Sequence, residues 1–416
     1  MRIYNEYKKN IIPILKTLLG LVFIFSGFVK AVDPLGSTYK IEDYLEAFGI
    51  DILSGLALPA AILLCAIEFI IGINFLFNCN IKKTSILSLL FMAVMTPLTL
   101  YIAIANPVTD CGCFGDALVI SNWQTFFKNI VLSTIAIIIF LWIKDCQVDR
   151  ISKRSQWIIT AFAFVTICSI SVYCIKHLPI IDFRPYKIGA NIPEGMAIPE
   201  DAEADVYEMS FIYEKDGVQK VFTEDNLPDA SWTFIDSESK LIKKGYEPPI
   251  HDFSLESDEY GDITEDMLAD ESYTFLVISS KLEKANIEGA KKLQNAYEFA
   301  ERNNYNFYAM TSSLDDAIED YKAQTGAQYD FFSSDEITLK TIVRSNPGLV
   351  LIKEGNVINK WHYNDLPDFS QVDNLETSSL GEMPIVNNWK TVFLSLILLI
   401  IVPITIFYGI SMKFKL

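Results

Sequence analysis

Two cysteines separated by a single glycine occur in the stretch PVTDCGCFGDALV, residues 107–119. The spacing of Cys111 and Cys113 is compatible with a disulfide, a metal clip or coincidence. A disulfide across one residue closes a small ring in which the preferred spacing and dihedral are hard to reach. Such a bond favours exchange over permanent crosslinking. Gly112 and Gly115 lack a Cβ, so the backbone can turn tightly at this loop.

The loop also carries two carboxylates, Asp110 and Asp116, beside the cysteines. Adjacent negative charge disfavours a thiolate, so the pKa values of both thiols are expected to be raised. A metal site would need further Cys or His ligands, and the loop supplies none, so no metal is expected. We predict a redox dithiol at Cys111 and Cys113, with a static or unpaired thiol pair as the alternative.

Three further residues in apolar surroundings are candidates for chemistry. Glu68 lies well inside an apolar run, where a carboxylate has to face other helices, be protonated or pair. It could accept a proton in quinone or thiol chemistry, or be protonated and hydrogen-bonded for packing. Cys174, near the end of a later run, is a candidate resolving thiol, with core packing as the default. Lys30, near the end of the first run, is expected to extend its amine to the membrane surface.

Six apolar segments are long enough to cross a bilayer, which requires about 20 residues for about 30 Å of hydrocarbon. They are residues 11–32, 53–77, 86–105, 126–143, 157–176 and 389–412. Lys and Arg collect in both termini and in the second and fourth connections, which share one side after six crossings. Because cytoplasmic loops carry this excess, both termini are predicted to be cytoplasmic. We predict a multi-pass inner-membrane protein with residues 179–388 in the periplasm and Cys79 and Cys146 in the reducing cytoplasm.

The segment 179–388 is strongly acidic, with 41 Asp and Glu against 17 Lys and Arg. This charge is expected to keep an exported domain soluble, and it argues against nucleic acid and against docking on anionic lipid. Residues 179–245 show strand signals, with a hairpin predicted to turn at Asp216 and Gly217. From residue 246 strands and helices alternate, which predicts an α/β domain over residues 246–370.

The membrane part resembles the DoxX and MauE group of four-helix membrane proteins. The resemblance rests on LLGLVFIFSGFVKAVDPLGS, EFIIGINFLF and DCGCFGD. It implies a four-helix bundle over residues 1–148, to which helices at 157–178 and 389–412 are added. MauE-type proteins are implicated in forming disulfides in exported redox enzymes together with a thioredoxin-like companion. DoxX-type proteins are associated with quinol oxidases.

The second half of the soluble segment resembles thioredoxin-like proteins of the TlpA and peroxiredoxin branch. The resemblance rests on PPIHDFSLES and SNPGLVLIKEGNVINKW. It implies that Pro347 is a cis-proline, where the alternative is an ordinary trans-proline at the start of a strand. The family's C-x-x-C would follow TFLVISS, but this chain reads KLEKAN there and has no cysteine after Cys174. We therefore expect a binding module that performs no thiol exchange with its own residues.

These features predict a polytopic α-helical membrane protein with an extracytoplasmic α/β thioredoxin-like domain. Its predicted role is in extracytoplasmic thiol–disulfide metabolism, with the C-G-C dithiol exchanging with a partner. One alternative is a non-catalytic membrane scaffold that recruits an envelope protein, and another is an accessory subunit of a quinol-oxidising respiratory complex. The expected partners are the bilayer and a thiol protein or envelope complex, and quinone is the one cofactor candidate. Whether the chain is itself an enzyme is left open.

Overall fold

The computed structural model describes residues 2–108, 110–142, 150–204, 206–215, 217–243, 245–384 and 388–414. The helices are α1 (Arg2–Val32), α2 (Pro34–Ala47), α3 (Ala57–Leu76), α4 (Ile81–Ala105), α5 (Asn122–Trp142), α6 (Lys153–Lys176), α7 (Ile192–Met196), α8 (Thr264–Ala269), α9 (Ile287–Asn303), α10 (Asp315–Thr325), α11 (Glu336–Ile342) and α12 (Trp389–Phe414). The strands are β1 (Val206–Lys215), β2 (Val218–Thr223), β3 (Thr233–Lys243), β4 (Glu256–Ser257), β5 (Gly261–Asp262), β6 (Tyr273–Ser279), β7 (Asn306–Thr311), β8 (Asp330–Ser333), β9 (Gly348–Lys353) and β10 (Asn356–His362).

Six of the described helices are long and apolar enough to cross a membrane: α1, α3, α4, α5, α6 and α12. They confirm the prediction of a polytopic helical membrane protein. Residues 177–388 lie between α6 and α12, on one side of the membrane, which we call the domain side. The loops before α3 and before α5 lie on the same side, because both contact residues of this segment.

The first four membrane helices form two closely packed pairs, α1 with α3 and α4 with α5. Glycines allow the close approach of α1 to α3. A Cβ added at Gly72 would lie 2.6 Å from the carbonyl oxygen of Gly20, and one at Gly27 would lie 2.7 Å from that of Cys65. The helix α6 packs on α1 and α3, and α12 packs on α6. The two pairs contact each other less extensively, through α1 with α5 and α3 with α4.

The short helix α2 lies in the connection between the first two predicted membrane segments, for which no helix is predicted from the sequence. Asp33 caps it, because its carboxylate accepts a hydrogen bond from the backbone N–H of Gly36 at 2.9 Å. Pro34 follows at the first helical position, where its fixed φ suits a helix and its missing N–H costs nothing. The helix lies on the domain side and contacts α3 and α6.

The soluble domain is built on a seven-stranded mixed sheet in the order β10-β9-β6-β7-β8-β4-β5. The strands β6, β7 and β8 run parallel, and β9 runs antiparallel to β6. Alternate residues of β6 enter two different cores: Phe275 and Val277 pack with α9 and α10, and Leu276 and Ile278 pack with α8 and α11. Helices therefore cover both faces, which confirms the predicted α/β domain and gives it the look of a thioredoxin-like fold.

The segment predicted as a β-rich connector, residues 179–245, consists of two different parts. Its first part packs along the sheet: Gly189 and Ile192 donate backbone hydrogen bonds to Val357 and Gly355, both at 2.8 Å. Its second part is a separate antiparallel sheet in the order β2-β1-β3. The turn between β1 and β2 contains Asp216, which lies outside the described residues.

Candidate functional site

The two cysteines of the C-G-C loop face each other with their sulfurs 3.1 Å apart, both as free thiols. The residue between them, Gly112, has a φ of +62°, a left-handed conformation that glycine adopts at little cost. Side chains from two helices hold the loop. The Tyr44 hydroxyl donates to the Cys111 carbonyl at 2.7 Å, and the Ser26 hydroxyl donates to the Cys113 carbonyl at 2.9 Å. The loop is thus fixed in a shape that brings the thiols together.

The two carboxylates of the loop are each matched by a cation from another part of the chain. Asp110 accepts a hydrogen bond from Lys40 at 2.9 Å and another from the backbone N–H of Gly112 at 2.8 Å. Asp116 lies 3.1 Å from the guanidinium of Arg344. Much of the negative charge that the sequence places beside the thiols is therefore compensated.

The pKa values of the two thiols are shifted in opposite directions, in contrast to the expectation that the neighbouring aspartates raise both. The Cys111 thiol donates a hydrogen bond to the Cys113 sulfur, and this is the main reason that the pKa of Cys113 falls to about 6. The ammonium groups of Lys128 and Lys30 lower it further, against the effect of burial. The same hydrogen bond, followed by burial, raises the pKa of Cys111. The expectation of a raised pKa is wrong for Cys113. The pKa of Cys111 is raised as expected, but its causes are the hydrogen bond and burial rather than the aspartates.

One side of the loop faces an apolar cavity of about 290 Å³ between the two helix pairs, which we call the inner cavity. Its wall includes Cys111, Gly112 and Cys113 at one end and side chains of α1, α3, α4 and α5 around it. Most of these are apolar; they include Val22, Phe23, Leu64, Met92, Met95 and Leu132. The cavity therefore joins the dithiol to the apolar interior of the membrane bundle.

A buried ion pair also lines the inner cavity. The Lys30 ammonium lies 2.8 Å from both carboxylate oxygens of Glu68 and 2.9 Å from the Ser26 hydroxyl. The exposed fractions of Lys30 and Glu68 are only 6% and 4%. The expectation that Lys30 extends to the membrane surface is wrong, because Glu68 gives its ammonium a partner inside the bundle. Through Ser26 the pair is connected to the backbone of Cys113.

The other side of the loop faces a larger, more polar space between the membrane bundle and the soluble domain, of about 740 Å³, which we call the outer cleft. Its walls come from α2, from the C-G-C loop and from α11 and the residues after it. Ser37, Lys40 and Gly112 line both the inner cavity and the outer cleft. The dithiol loop is thus the partition between the two spaces.

Arg344 of the soluble domain fastens that domain to the membrane bundle beside the dithiol loop. Its guanidinium donates to both carboxylate oxygens of Asp33, at 2.8–3.0 Å, and also reaches Asp116. The side chain of Arg344 is only 6% exposed. Burial alone would raise the pKa of Asp33, but the charge and hydrogen bonds of Arg344 outweigh it and hold that pKa below its usual value. The soluble domain therefore docks on the loop through a buried ion pair.

Residues 8–143 match the family model of methylamine utilisation protein MauE. This stretch contains the C-G-C loop and every residue that lines the inner cavity. The MauE match covers about a third of the chain and ends before the soluble domain. Within that domain, residues 207–244 match DUF8463, a domain family of unknown function, and this stretch includes the described residues of the three-stranded sheet from Tyr207 onward.

A search of curated proteins gives no match. Among solved structures, one similar chain is described as "Solution structure of a putative protein disulfide isomerase from Bacteroides thetaiotaomicron". It is 12% identical, covers 32% of this chain and 87% of its own, and has a TM-score of 0.25. A similarity at this TM-score carries no argument about function.

Of the other predicted site residues, Gly115 belongs to the dithiol loop, and Cys174 lies apart from it. Cys174 is buried in α6 and is not among the described residues that line the inner cavity or the outer cleft. Gly115 has a φ of +51° and lines the outer cleft. The Asn346–Pro347 peptide bond is cis. Cys79 is buried near the other end of the bundle, and Cys146 lies outside the described residues.

Sequence reasoning missed three residues that shape the site: Lys128, Tyr44 and Arg344. Lys128 stands inside a predicted membrane span, so its charge was a usable signal. Tyr44 belongs to the unpredicted helix α2, and its contact with the loop spans 67 residues. Arg344 precedes Pro347 by three residues, but nothing in the sequence indicates that it pairs with an aspartate of the membrane bundle.

The pKa of Cys113 gives a direct prediction for alkylation of the reduced protein. We expect the rate at which iodoacetamide modifies Cys113 to rise with pH around a midpoint near 6, since the thiolate is the nucleophile. In the variant Cys111→Ala the midpoint should move upward, because the hydrogen bond that stabilises the thiolate is lost. The measurement is peptide mass spectrometry after timed alkylation. A midpoint of wild-type Cys113 at or above that of an ordinary thiol, about 8.5, would contradict this assignment.

Proposed function

We propose that this chain is a membrane thiol–disulfide oxidoreductase whose Cys111 and Cys113 alternate between a dithiol and a disulfide. The observation that carries the proposal is the 3.1 Å approach of the two free thiols, which line the inner cavity in a loop whose Gly112 also lines the outer cleft. The unequal acidity of the two thiols supports it, because exchange requires one sulfur that ionises readily. The match of residues 8–143 to a MauE family model agrees with this role.

The difference in pKa assigns separate roles to the two sulfurs. In the oxidised form, a thiolate of the partner attacks the Cys111 sulfur, since this expels Cys113, the better leaving thiolate. A mixed disulfide between Cys111 and the partner results. A second thiolate of the partner then attacks its own sulfur in that bond and releases Cys111. The partner gains a disulfide, and two electrons pass to this chain, which becomes the dithiol.

The soluble domain is proposed to present the partner to the dithiol rather than to exchange thiols itself. It has no cysteine, so no sulfur of its own can enter the reaction. It forms one wall of the outer cleft through α11 and Arg344. A partner bound to this domain would be held at high effective concentration beside the C-G-C loop, whose Gly112 lines the same cleft.

The excess of Lys and Arg in the other connections supports an orientation in which the domain side is extracytoplasmic. We propose that the chain resides in the inner membrane, with both termini in the cytoplasm and residues 179–388 in the periplasm. That compartment is where disulfides form and persist, so a thiol protein there is the expected partner.

Trapping of the mixed disulfide tests the proposal. In cells that express Cys113→Ser, Cys111 should accumulate adducts with an oxidised partner protein, because its thiolate can attack the partner's disulfide and expel one partner thiolate, while Cys113 is missing to resolve the mixed disulfide in the reverse step. These adducts should disappear on reduction in non-reducing gel electrophoresis, and the double variant Cys111→Ser/Cys113→Ser should form none. Cys168→Ser is the matched control, since Cys168 lies in α6 away from both cavities and should leave the wild-type pattern. If Cys113→Ser forms no adduct while both thiols stay reduced in the wild type, the oxidoreductase proposal is wrong.

A scaffold role is the second candidate, and the docking of Arg344 on Asp33 favours it. This buried pair would hold the soluble domain in one orientation whether or not the thiols react. The two candidates differ in one outcome. A scaffold retains its function in the double Cys→Ser variant, whereas an oxidoreductase loses it.

A further inference from the structure

We infer that the inner cavity binds the ring of a membrane quinone, which accepts the electrons of the dithiol. This inference rests on the proposed function, because repeated oxidation of a partner requires that the dithiol be reoxidised. The balanced step breaks the two thiol S–H bonds, forms one S–S bond, and transfers two electrons and two protons to the quinone. The product is the corresponding quinol.

The position of the cavity favours an acceptor that is dissolved in the bilayer. It lies between membrane-spanning helices and extends from the C-G-C loop to Glu68 of α3 and Phe91 of α4, in the middle part of those helices. Ala60 lines the cavity and is also exposed on the surface of α3, so the cavity is connected to the outside of the bundle. A lipid-soluble molecule can therefore enter from the side of the membrane helices, and the partner from the outer cleft.

The volume and the lining suit a flat aromatic ring of moderate size. About 290 Å³ lies at the lower end of small-molecule pockets, which begin at about 300 Å³. Phe91, Met92 and Met95 form an apolar, adaptable wall on α4. A lipid acyl chain would fit the same wall but would make no use of the polar groups at the other end of the cavity.

Those polar groups are the second observation that points to a quinone. Charged residues inside a membrane bundle are costly, yet Lys30, Glu68 and Lys128 all line this cavity. Lys30 and Lys128 can donate hydrogen bonds to the carbonyl oxygens of a quinone, where negative charge develops on reduction. Glu68 can take up a proton that leaves the dithiol. Cys113 also lines the cavity. Hydrogen-bond donors, a proton acceptor and the thiol that supplies electrons therefore surround one space.

Binding can be measured without any redox reaction, in the full-length variant Cys111→Ser/Cys113→Ser. A short-chain quinone carrying a photoactivatable azide should label peptides of α1 or α4 that line the cavity, and excess unlabelled quinone should displace it. Met95→Trp fills the cavity and should reduce labelling about tenfold. Leu90→Trp is the matched control on the same helix, because Leu90 is 61% exposed and lies outside the cavity. Equal labelling of the two Trp variants, or label that excess quinone does not displace, would overturn the inference.

Electron transfer is then followed with the reduced wild-type protein. One quinone should be consumed, by its ultraviolet absorbance, for each Cys111–Cys113 disulfide formed, by thiol counting. Mixed-disulfide trapping with Cys113→Ser is run in parallel. If trapping succeeds but quinone is not consumed, the quinone inference fails and the oxidoreductase proposal stands. If the thiols neither form adducts nor become oxidised, both fail.

Discussion

Arg344→Ala is expected to cost about 3–5 kcal/mol of stability and to release the soluble domain from the dithiol loop. The variant leaves the buried carboxylate of Asp33 without its cation and removes the contact with Asp116. The stability of Arg344→Lys should lie between that of the wild type and that of Arg344→Ala. An ammonium keeps the charge but cannot form the same bidentate contact with the carboxylate. Thermal unfolding of the purified protein measures the first effect. Faster hydrogen–deuterium exchange at Gly112 and Gly115, which line the outer cleft, measures the second, because undocking exposes the loop.

The pH dependence of this effect follows from the lowered pKa of Asp33 in the folded protein. A carboxylate with a depressed folded pKa contributes stability above its unfolded pKa, about 3.9, and loses it as the pH falls through the folded value. The stability difference between wild type and Arg344→Ala should therefore be largest near neutral pH and shrink below about pH 4.

The double variant Asp33→Asn/Arg344→Gln provides the control for Arg344. Asparagine retains the capping of α2 but removes the charge, so the double variant should be more stable than Arg344→Ala. If Arg344→Ala unfolds like the wild type at neutral pH, the ion pair does not stabilise the docking of the domain.

Lys30→Met is expected to destabilise the membrane bundle by about 3–5 kcal/mol, because it leaves Glu68 buried without a counter-ion. The double variant Lys30→Met/Glu68→Met should regain most or all of this stability, since two apolar side chains of similar length pack without desolvating a charge. Thermal unfolding in detergent measures both. Lys82→Met, at an exposed position of α4, is the control and should change stability by less than about 0.5 kcal/mol.

The double variant also separates a structural role of the ion pair from a chemical one. If the pair only supports packing, Lys30→Met/Glu68→Met should reduce a quinone as fast as the wild type. We expect the stable double variant to remain slow, because the donor to the quinone oxygen and the proton acceptor are both missing. Single variants that are as stable as the double variant would contradict the assignment of a buried pair.

The elements that depend on short-range pattern were predictable from the sequence. Six apolar runs of sufficient length gave the membrane helices. The buried run TFLVISS is strand β6, and the alternation of strands and helices predicted from residue 246 is present. In these cases the signal and the structure lie within the same ten or twenty residues. The helix α2 was missed although Asp33 and Pro34 form a recognisable helix start, because the segment was interpreted only as a connection between membrane spans.

The geometry of the site depends on contacts between distant parts of the chain, and these left no pattern to detect. Lys30 and Glu68 are 38 residues apart on different helices, so either could have been an isolated charge. The pKa of Cys113 was misjudged for a different main reason, because the hydrogen bond from Cys111 that lowers it depends on the conformation of the loop between two nearby residues. The sequence shows Asp110 beside Cys111, but only the fold brings Lys40 to Asp110 and Lys128 toward Cys113.

The contact between Arg344 and Asp116 joins residues 228 positions apart in the sequence. This separation along the chain has a consequence during synthesis. At about 5–20 residues per second, Arg344 is made roughly 10–50 s after Asp116. During that interval no soluble domain is docked on the C-G-C loop, and the outer cleft does not yet exist. The nascent thiols are then open to any oxidant or thiol in the same compartment. The outer cleft, and any selectivity that the soluble domain confers, begin only when that domain has folded and docked.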